Sequence, residues 1–304
     1  MGIVLGPQQY GKAETRVVRV SRDDNWHQIR DLNVTTALRG DFSAAHLTGD
    51  QSTVLPTDSQ KNTAFAYALE HGPGEIEDYA LALARHFADD IEPVSAARVE
   101  VEEYAWDRIS VGGDPHPHAF VRSGQEVRTT AVTVEGAGAG QQAWVVSGLT
   151  GLVVLKSTDS EFRGFLTDSY TTLPETHDRI LATSLTARWR YAGPGGLQTD
   201  WLEAYDLVRR ILLARFAELH SLALQQSLWE MGHAVLTARP DIAEIRLSAP
   251  NKHHYLVDLA PFGLANHNEV FHAGDRPYGL IQCTASRDDA PPAGPAWDTS
   301  AAFA

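Results

Sequence analysis

Alternating apolar and polar residues are the dominant pattern along this chain, and they predict β-strands. The alternation is clearest over 98–109 and 118–134, on either side of a glycine-containing turn at 111–115. Because neighbouring side chains on a strand point to opposite faces, each stretch would present one apolar face to a core. A further apolar stretch, 143–155, is interpreted as another pair of strands.

Apolar residues at helical spacing predict three helices between the strands. One covers 75–89, after the helix breakers Gly72-Pro73, and a second covers 200–219. A third begins after Ser221, which is a good N-cap residue, and runs towards Arg239-Pro240. Helices therefore separate groups of strands along the chain.

A glycine-rich segment near the middle of the chain, 135–140, is the clearest break in composition. Its residues favour either a flexible linker or a hairpin loop. A boundary there predicts one unit over 1–140 and a second over 141–290. The proline-containing remainder, 291–304, is predicted to be an irregular tail.

Composition and charge restrict the class of protein. The 304 residues are 43% hydrophobic and 21% charged, which is typical of a globular chain with a sizeable core. The formal net charge of −14 argues against nucleic acid or an anionic membrane as a partner. We therefore expect neither to bind this protein.

Other sequence signals concern redox state, targeting and cofactors. Cys283 is the single cysteine, so no intrachain disulfide can form. No apolar stretch approaches the about 18 residues of a membrane span, and neither a signal peptide nor a Ser-Lys-Leu ending is recognisable. We therefore expect a cytoplasmic protein. Neither a Gly-x-Gly-x-x-Gly motif after a strand nor a phosphate loop is present, so no nucleotide, nicotinamide or flavin cofactor is indicated.

The most informative polar segment is Pro250-Asn251-Lys252-His253-His254, which precedes an alternating stretch at 255–259. On a strand, Asn251 and His253 would share one face and offer an amide and an imidazole to a small polar ligand. A polar turn leading into a strand is the alternative, and these residues alone do not decide between the two.

Further motifs add to this segment. The longer ones are Tyr10-Gly11-Lys12, Thr57-Asp58-Ser59-Gln60-Lys61-Asn62-Thr63, Leu155-Lys156-Ser157-Thr158, Glu161-Phe162-Arg163-Gly164-Phe165, Tyr170-Thr171-Thr172-Leu173 and Asp178-Arg179-Ile180-Leu181. In content and order they resemble the urate oxidase (uricase) family. The resemblance runs from about Tyr10 to about Thr284, nearly the whole chain.

The resemblance implies a fold and an assembly. The fold class would be α+β, with two tandem tunnelling-fold (T-fold) units, each an antiparallel sheet with helices on one face. The sheets would close into barrels between subunits, which removes free strand edges. A homotetramer whose sites are shared between chains is the implied assembly.

The implied activity is oxidation of urate by O2 and water to 5-hydroxyisourate and hydrogen peroxide, without a cofactor. Zinc could in principle be bound by His116, His118, His253 and His254, but the resemblance implies no metal. Two alternatives stay open. One is a pterin- or purine-processing T-fold hydrolase or synthase, and the other is a non-catalytic purine-binding assembly protein.

By resemblance, the catalytic residues are Lys12, Thr57 and His253, which would form a proton relay. Taken alone, Lys12 also fits a solvated surface lysine. Thr57 also fits a helix N-cap, because Gln60 stands three residues later and would complete a capping box.

The same resemblance implies residues that hold the substrate. Arg179 would act as a forked donor, and Phe162 would stack on the flat ring of the substrate. The oxygen or water site would lie beneath Asn251. The remaining predicted contacts are Thr57, Asp58, the backbone N–H of Leu224 and the amide of Gln225. Without the resemblance, Arg179 fits a surface ion pair, and its segment, 175–181, fits a short helix.

Overall fold

A computed structural model describes residues 2–22, 24–72, 74–193 and 199–299. The chain divides into two compact units. The first comprises Met1–Gly148, Arg190–Leu202 and Ala290–Ala304, and the second comprises Leu149–Trp189 and Glu203–Asp289. The predicted boundary at residue 140 stays a prediction.

The first unit is built on four strands that are neighbours in chain order. They are β1 (Tyr10–Ser21), β2 (Gln28–Gly40), β3 (Val94–Val111) and β4 (Asp114–Glu135). Each pair is antiparallel. Three helices lie between β2 and β3 in the chain: α1 (Ser43–Leu47), α2 (Thr57–Glu70) and α3 (Ile76–Asp90).

The second unit contains the later strands and helices. The division between the units falls inside β5 (Gln142–Lys156) and inside β6 (Leu181–Tyr191), whereas β7 (Ile242–Leu256) and β8 (Phe271–Ser286) lie within the second unit. β7 and β8 pair antiparallel. Helices α4 (Trp201–Glu218) and α5 (Leu224–Ala238) separate β6 from β7. The predicted α+β class is confirmed.

Most predicted elements are found, and one strand prediction is wrong. The stretches 98–109 and 118–134 lie within β3 and β4, and the segment between β4 and β5 contains a short 3₁₀ turn, Gly138–Gly140. The stretch 143–155 is one continuous strand, β5, instead of a pair. Its centre, at Leu149, is buried within the strand and holds no reversing turn.

The helix predictions are confirmed for α3 and α4, whereas the predicted start of α5 is wrong. Ala223 is the N-cap of α5, two residues after Ser221. The Ser221 hydroxyl is buried and is hydrogen-bonded to the hydroxyl of Ser227 at 2.8 Å, so it does not cap the helix. Pro73, which contributed to the prediction of α3, lies outside the described residues. The predicted tail is described only to residue 299 and includes a 3₁₀ turn at Gly294–Trp297.

The core of the first unit forms where α3 packs on β3 and β4. Ile76, Tyr79, Leu83 and Phe87 recur at helical spacing and are almost fully buried. Burying side chains of this size stabilises a fold by about 1.5–3 kcal/mol each. In the second unit α5 packs on β7 and β8 in the same way, with Leu228, Met231 and Val235 buried.

Among the described residues, none of the helices has both the length and the apolar character required to cross a membrane.

Candidate active site

The predicted site residues fall into two groups, one in each unit. The first unit carries Lys12, Thr57 and Asp58, and the second carries Phe162, Arg179, Leu224, Gln225, Asn251 and His253.

Lys12 lies near the start of β1, beside an irregularity in the β1–β2 ladder. It is opposite Thr36 and donates its backbone N–H to the Thr36 hydroxyl at 3.3 Å. The register shifts directly afterwards, between Lys12 and Thr15, and Glu14 adopts a left-handed φ of 56°. The preceding Gly11 allows close approach of the two strands, since a Cβ there would lie 1.7 Å from the Thr36 carbonyl oxygen. The half-buried Lys12 side chain is therefore fixed at its base by the pairing of two backbones.

Thr57 is the first residue of α2, and the predicted capping box is wrong. Pro56 is the N-cap and makes no side-chain capping bond. Gln60 is fully buried; its Oε1 accepts a hydrogen bond from Thr36 Oγ1 at 2.7 Å, so this oxygen does not accept from the first N–H groups of α2, and its Nε2 donates to the Leu55 carbonyl at 3.5 Å. The Thr57 hydroxyl does not cap α2, and it forms no hydrogen bond to the described residues.

Thr36 connects the two predicted relay residues of the first unit. Its hydroxyl accepts from the Lys12 N–H and donates to Gln60, which lies one turn along α2 from Thr57. Buried and hydrogen-bonded at both ends, this connection fixes α2 relative to β1. Motif reasoning missed both Thr36 and the inward direction of Gln60.

Asp58 is an exposed carboxylate at the start of α2. It accepts hydrogen bonds from Lys61 and, at 2.9 Å, from Asn62. These contacts, led by the bond from Lys61, hold the pKa of Asp58 below its ordinary value, and the Lys12 charge contributes in the same direction. The ammonium of Lys12 is therefore close enough to act electrostatically on Asp58.

Arg179 is the main cationic residue of the second group. Its backbone N–H donates to the Ser160 carbonyl at 2.8 Å, and its Nε donates weakly to the Ser160 hydroxyl at 3.4 Å. Within the described ranges it forms no ion pair, so the surface-ion-pair alternative is wrong. Burial lowers the pKa of Arg179. A half-buried guanidinium without a carboxylate is a ready partner for an anion.

Phe162 lies next to this guanidinium. The Arg179 Cζ is 5.1 Å from the centre of the Phe162 ring, and Phe165 stacks on that ring at 4.9 Å with an interplanar angle of 15°. Phe162 and Thr176 form an isolated antiparallel bridge, and no helix forms over 175–181, so the short-helix prediction is wrong. Two backbone bonds at this bridge satisfy the groups that a helical turn would have paired.

Asn251 and His253 lie inside β7, so the polar-turn alternative is wrong. Asn251 is opposite Gly279, whereas His253 is opposite Gly274, so the ladder is irregular between them on the β8 side. Such irregularities are frequent beside functional sites, where they direct side chains. Burial, followed by the charges of Arg179 and His254, lowers the pKa of His253. Burial and the Arg179 charge thus both favour the uncharged imidazole of His253.

Leu224 and Gln225 are the first two residues of α5. The N–H groups of a helix's first turn have no partner inside the helix, so the Leu224 N–H is available to an acceptor. Gln225 has an exposed side chain. Just before the helix, Ser221 pairs in parallel with Ser160. The Glu161 N–H donates to the Ser221 carbonyl at 2.9 Å, and the Ser221 N–H donates to the backbone carbonyl of Asp159 at 2.9 Å.

Ser160 therefore connects the segments of the second unit that carry the substrate-binding candidates. Its backbone pairs with Ser221 before α5, it accepts from the N–H of Arg179, and it lies two residues before Phe162. Sequence reasoning missed this role, because a single serine between two motifs has no distinctive pattern.

The histidines proposed as metal ligands were also located. His116 and His118 contact each other near the turn between β3 and β4, with ring centres 4.5 Å apart, and His27 is 5.7 Å from His118. In the part of the chain that the structure describes, no three His, Cys, Asp or Glu residues are arranged to hold a metal ion.

Comparison with known proteins gives consistent results over the whole chain. A family profile described as Uricase matches residues 8–133 and 145–282. A uricase of Arthrobacter globiformis is 50% identical over 301 residues, covering 99% of this chain and 96% of the relative. A uricase of Aspergillus flavus is 36% identical over 292 residues, covering 92% and 95%.

Solved structures are similar as well. The crystal structure of uricase from Arthrobacter globiformis superposes with a TM-score of 0.91 at 50% identity, covering 98% of this chain and 99% of that one. A uricase from Bacillus fastidious gives a TM-score of 0.81 at 26% identity, with 93% and 94% covered.

Proposed function

The chain belongs to the uricase family, and from that premise we propose that it oxidises urate with O2 and water. The products would be 5-hydroxyisourate and hydrogen peroxide. The observation that carries the proposal is Arg179, a half-buried guanidinium beside an aromatic ring that forms no ion pair among the described residues. In a chain of net charge −14, this residue is suited to bind an anion.

Urate is a flat anion with donors and acceptors on its edges, and the second group of residues matches these features. Phe162 offers a ring face for stacking, and Arg179 offers a planar fork of N–H donors. Leu224 contributes a backbone N–H and Gln225 an amide at the start of α5. Asn251 can both donate and accept, which suits it to hold O2 or water next to the substrate.

Proton transfer is assigned to Lys12, Thr57 and His253. Removal of a proton makes urate electron-rich enough to give two electrons to O2, which leaves as hydrogen peroxide once it has gained two protons. Water then supplies the new hydroxyl group of the purine. The unused hydroxyl of Thr57 and the neutral imidazole of His253 are suited to pass these protons. The protein binds, orients and moves protons, and the substrate itself reduces O2.

The alternatives are less well supported. Relatives named uricase in bacteria, fungi and animals do not favour a pterin- or purine-processing hydrolase or synthase. The predicted relay residues Lys12, Thr57 and His253 are all present, which does not favour a non-catalytic binding protein.

The test of this function is direct. The purified protein, dialysed exhaustively against chelators, is expected to consume O2 with urate and to release peroxide in equal amount. Elemental analysis of the same sample is expected to find no stoichiometric metal. A protein that is inactive after dialysis and is restored by zinc, iron or copper would contradict the cofactor-free mechanism.

A homotetramer with sites shared between chains is part of the proposal. Among the described residues, β1 pairs only with β2, and β8 pairs only with β7, which leaves two strand edges to be covered. Exposed apolar side chains on β8, including Tyr278 and Leu280, favour covering by another chain. In such an assembly, Lys12 and Thr57 of one chain would complete the site that contains Arg179 of another.

Complementation tests the shared site. Thr57→Ala and Arg179→Ala are each expected to be nearly inactive, and mixed oligomers formed by refolding them together are expected to regain part of the activity. The reason is that a mixed pair of chains has one doubly damaged site and one intact site. Mixing the already assembled variants without refolding is the control. Verified mixed oligomers as inactive as their parents would show that each chain carries a complete site.

A further inference from the structure

His220 lies in the short connection between α4 and α5 and contacts two carboxylates at once. Its Nδ1 is 3.2 Å from Asp159 Oδ1, and its Nε2 is 3.0 Å from Glu161 Oε1. A neutral imidazole has one N–H, whereas the protonated ring has two. Both contacts can therefore be hydrogen bonds only when His220 is protonated. In the neutral ring, one nitrogen lone pair would face a carboxylate oxygen.

The two carboxylates belong to the segment that carries Phe162. This segment and the start of α5 meet at the Ser160–Ser221 bridge, which consists of two backbone hydrogen bonds of 2.9 Å each. The His220 side chain spans the same junction, beside those bonds. Asp159 adopts a left-handed φ of 62°, which aspartate tolerates better than most residues, and its carboxylate is the one that His220 Nδ1 contacts.

We propose that protonated His220 is a positioning residue, a clamp that holds the ring of Phe162 in place relative to the N–H and amide of Leu224 and Gln225. Urate affinity then depends on the protonation of His220, although His220 does not touch the substrate. This inference rests on the proposed function, because it concerns the geometry of the same site.

The charges around His220 define the pH range of the clamp. Glu161 and then Asp159 raise the pKa of His220 above its ordinary value. Arg163 pairs with the other oxygen of Glu161, Lys156 acts on Asp159, and Glu175 binds the neighbouring Gly164 N–H. Because the folded pKa is raised, the clamp is fully present below the unfolded pKa of about 6.5 and is lost as pH rises through the folded value. Glu161 keeps its charge on the acid side, since the bond from His220, followed by that from Arg163, lowers its pKa.

Two variants separate the charge from the shape of the side chain. His220→Gln keeps a hydrogen-bonding group without a charge, and His220→Arg keeps a charge at every accessible pH. His233→Gln, which removes an exposed histidine on α5, is the matched control. Urate binding is measured at equilibrium without O2, so that no turnover occurs, at intervals from pH 6 to pH 9.

Relative to wild type, His220→Gln is expected to raise the urate Kd about two- to fivefold at pH 6, the range for a solvent-exposed ion pair, with little difference at pH 9. His220→Arg is expected to bind like wild type at pH 6 and more tightly than wild type at pH 9. With O2 present, KM should follow these changes while kcat stays constant. Comparison at each pH cancels the titration of urate and of groups common to all variants.

Hydrogen exchange supplies a measurement that needs no urate. Backbone amides within 159–163 are expected to exchange faster in His220→Gln than in wild type at pH 6, and at the wild-type rate in His220→Arg. Equal Kd ratios at every pH, or an arginine variant as weak as the glutamine variant, would overturn the clamp. Wild-type protein that binds urate without consuming O2 would contradict the proposed function alone, since binding and exchange still test His220.

Discussion

Lys12→Met is expected to lower the kcat for urate by about 10²–10⁴-fold, the usual contribution of a positioned proton-transfer group, while urate affinity changes only a few-fold. Methionine retains the length and apolar stem of lysine but cannot accept or donate a proton. The backbone contacts that fix residue 12, namely its pairing with Thr36 and the close approach at Gly11, do not involve the side chain. Oxygen-uptake kinetics measure kcat and KM, and anaerobic titration measures affinity.

The matched control for this variant is Lys61→Met. Lys61 is also a lysine of the first unit near Asp58, with which it forms an ion pair, but it has no place in the relay. Its loss should change kcat little. Near-normal turnover in Lys12→Met would identify Lys12 as an ordinary surface residue. A large rise in KM with unchanged kcat would reassign it to binding.

Arg179→Ala is expected to weaken urate binding by about 2–4 kcal/mol, the scale of a buried charge-assisted pair, which corresponds to about 30- to 1,000-fold in Kd. The guanidinium gains little from the protein itself, since its side chain makes one weak hydrogen bond to Ser160, lies 5.1 Å from the centre of the Phe162 ring and forms no ion pair within the described residues. Thermal stability should therefore hold or rise slightly while binding is lost. Calorimetry and anaerobic titration measure the two effects.

Two further variants make this test specific. Arg179→Lys should restore binding poorly, because an ammonium cannot reproduce the planar fork. Arg246→Ala removes an arginine that is 47% exposed and paired with Glu244, and it should leave urate binding unchanged. Full recovery with lysine at position 179 would show that charge alone matters there.

Local patterns in the sequence were sufficient to predict whether most segments are helices or strands, but they were less reliable for the residues at which these elements begin and end. The apolar stripes of α3 and α4 and the alternation of β3 and β4 were recognised because they depend on near neighbours in the chain. Ser221 was predicted as a cap from its residue type, and Thr57 from its type together with Gln60 three residues later. In the fold, Pro56 is the N-cap of α2 and Ala223 is the N-cap of α5. The backbone of Ser221 is instead paired with a distant segment at Ser160.

The candidate site shows the same limit. Lys12, Arg179 and His253 were identified from motifs, because a motif is recognised by its residue types and requires no knowledge of how the chain folds. The residues that hold these side chains and their segments in place could not be identified in this way. Thr36 meets Gln60 across 24 residues and His220 meets Glu161 across 59, and a single sequence holds no information about pairing over such separations. Such pairings are set by strand register and helix packing.

The unpaired guanidinium of Arg179 has a consequence for the kinetics of substrate capture. The net charge of −14 repels an approaching anion over long distances, whereas Arg179 acts only at short range from a half-buried position. Salt screens the long-range term first, since the Debye length is about 8 Å at physiological ionic strength. Added salt should therefore speed the diffusional encounter with urate and leave its residence time nearly unchanged. Enzymes that attract their substrates through a complementary field show the opposite salt dependence.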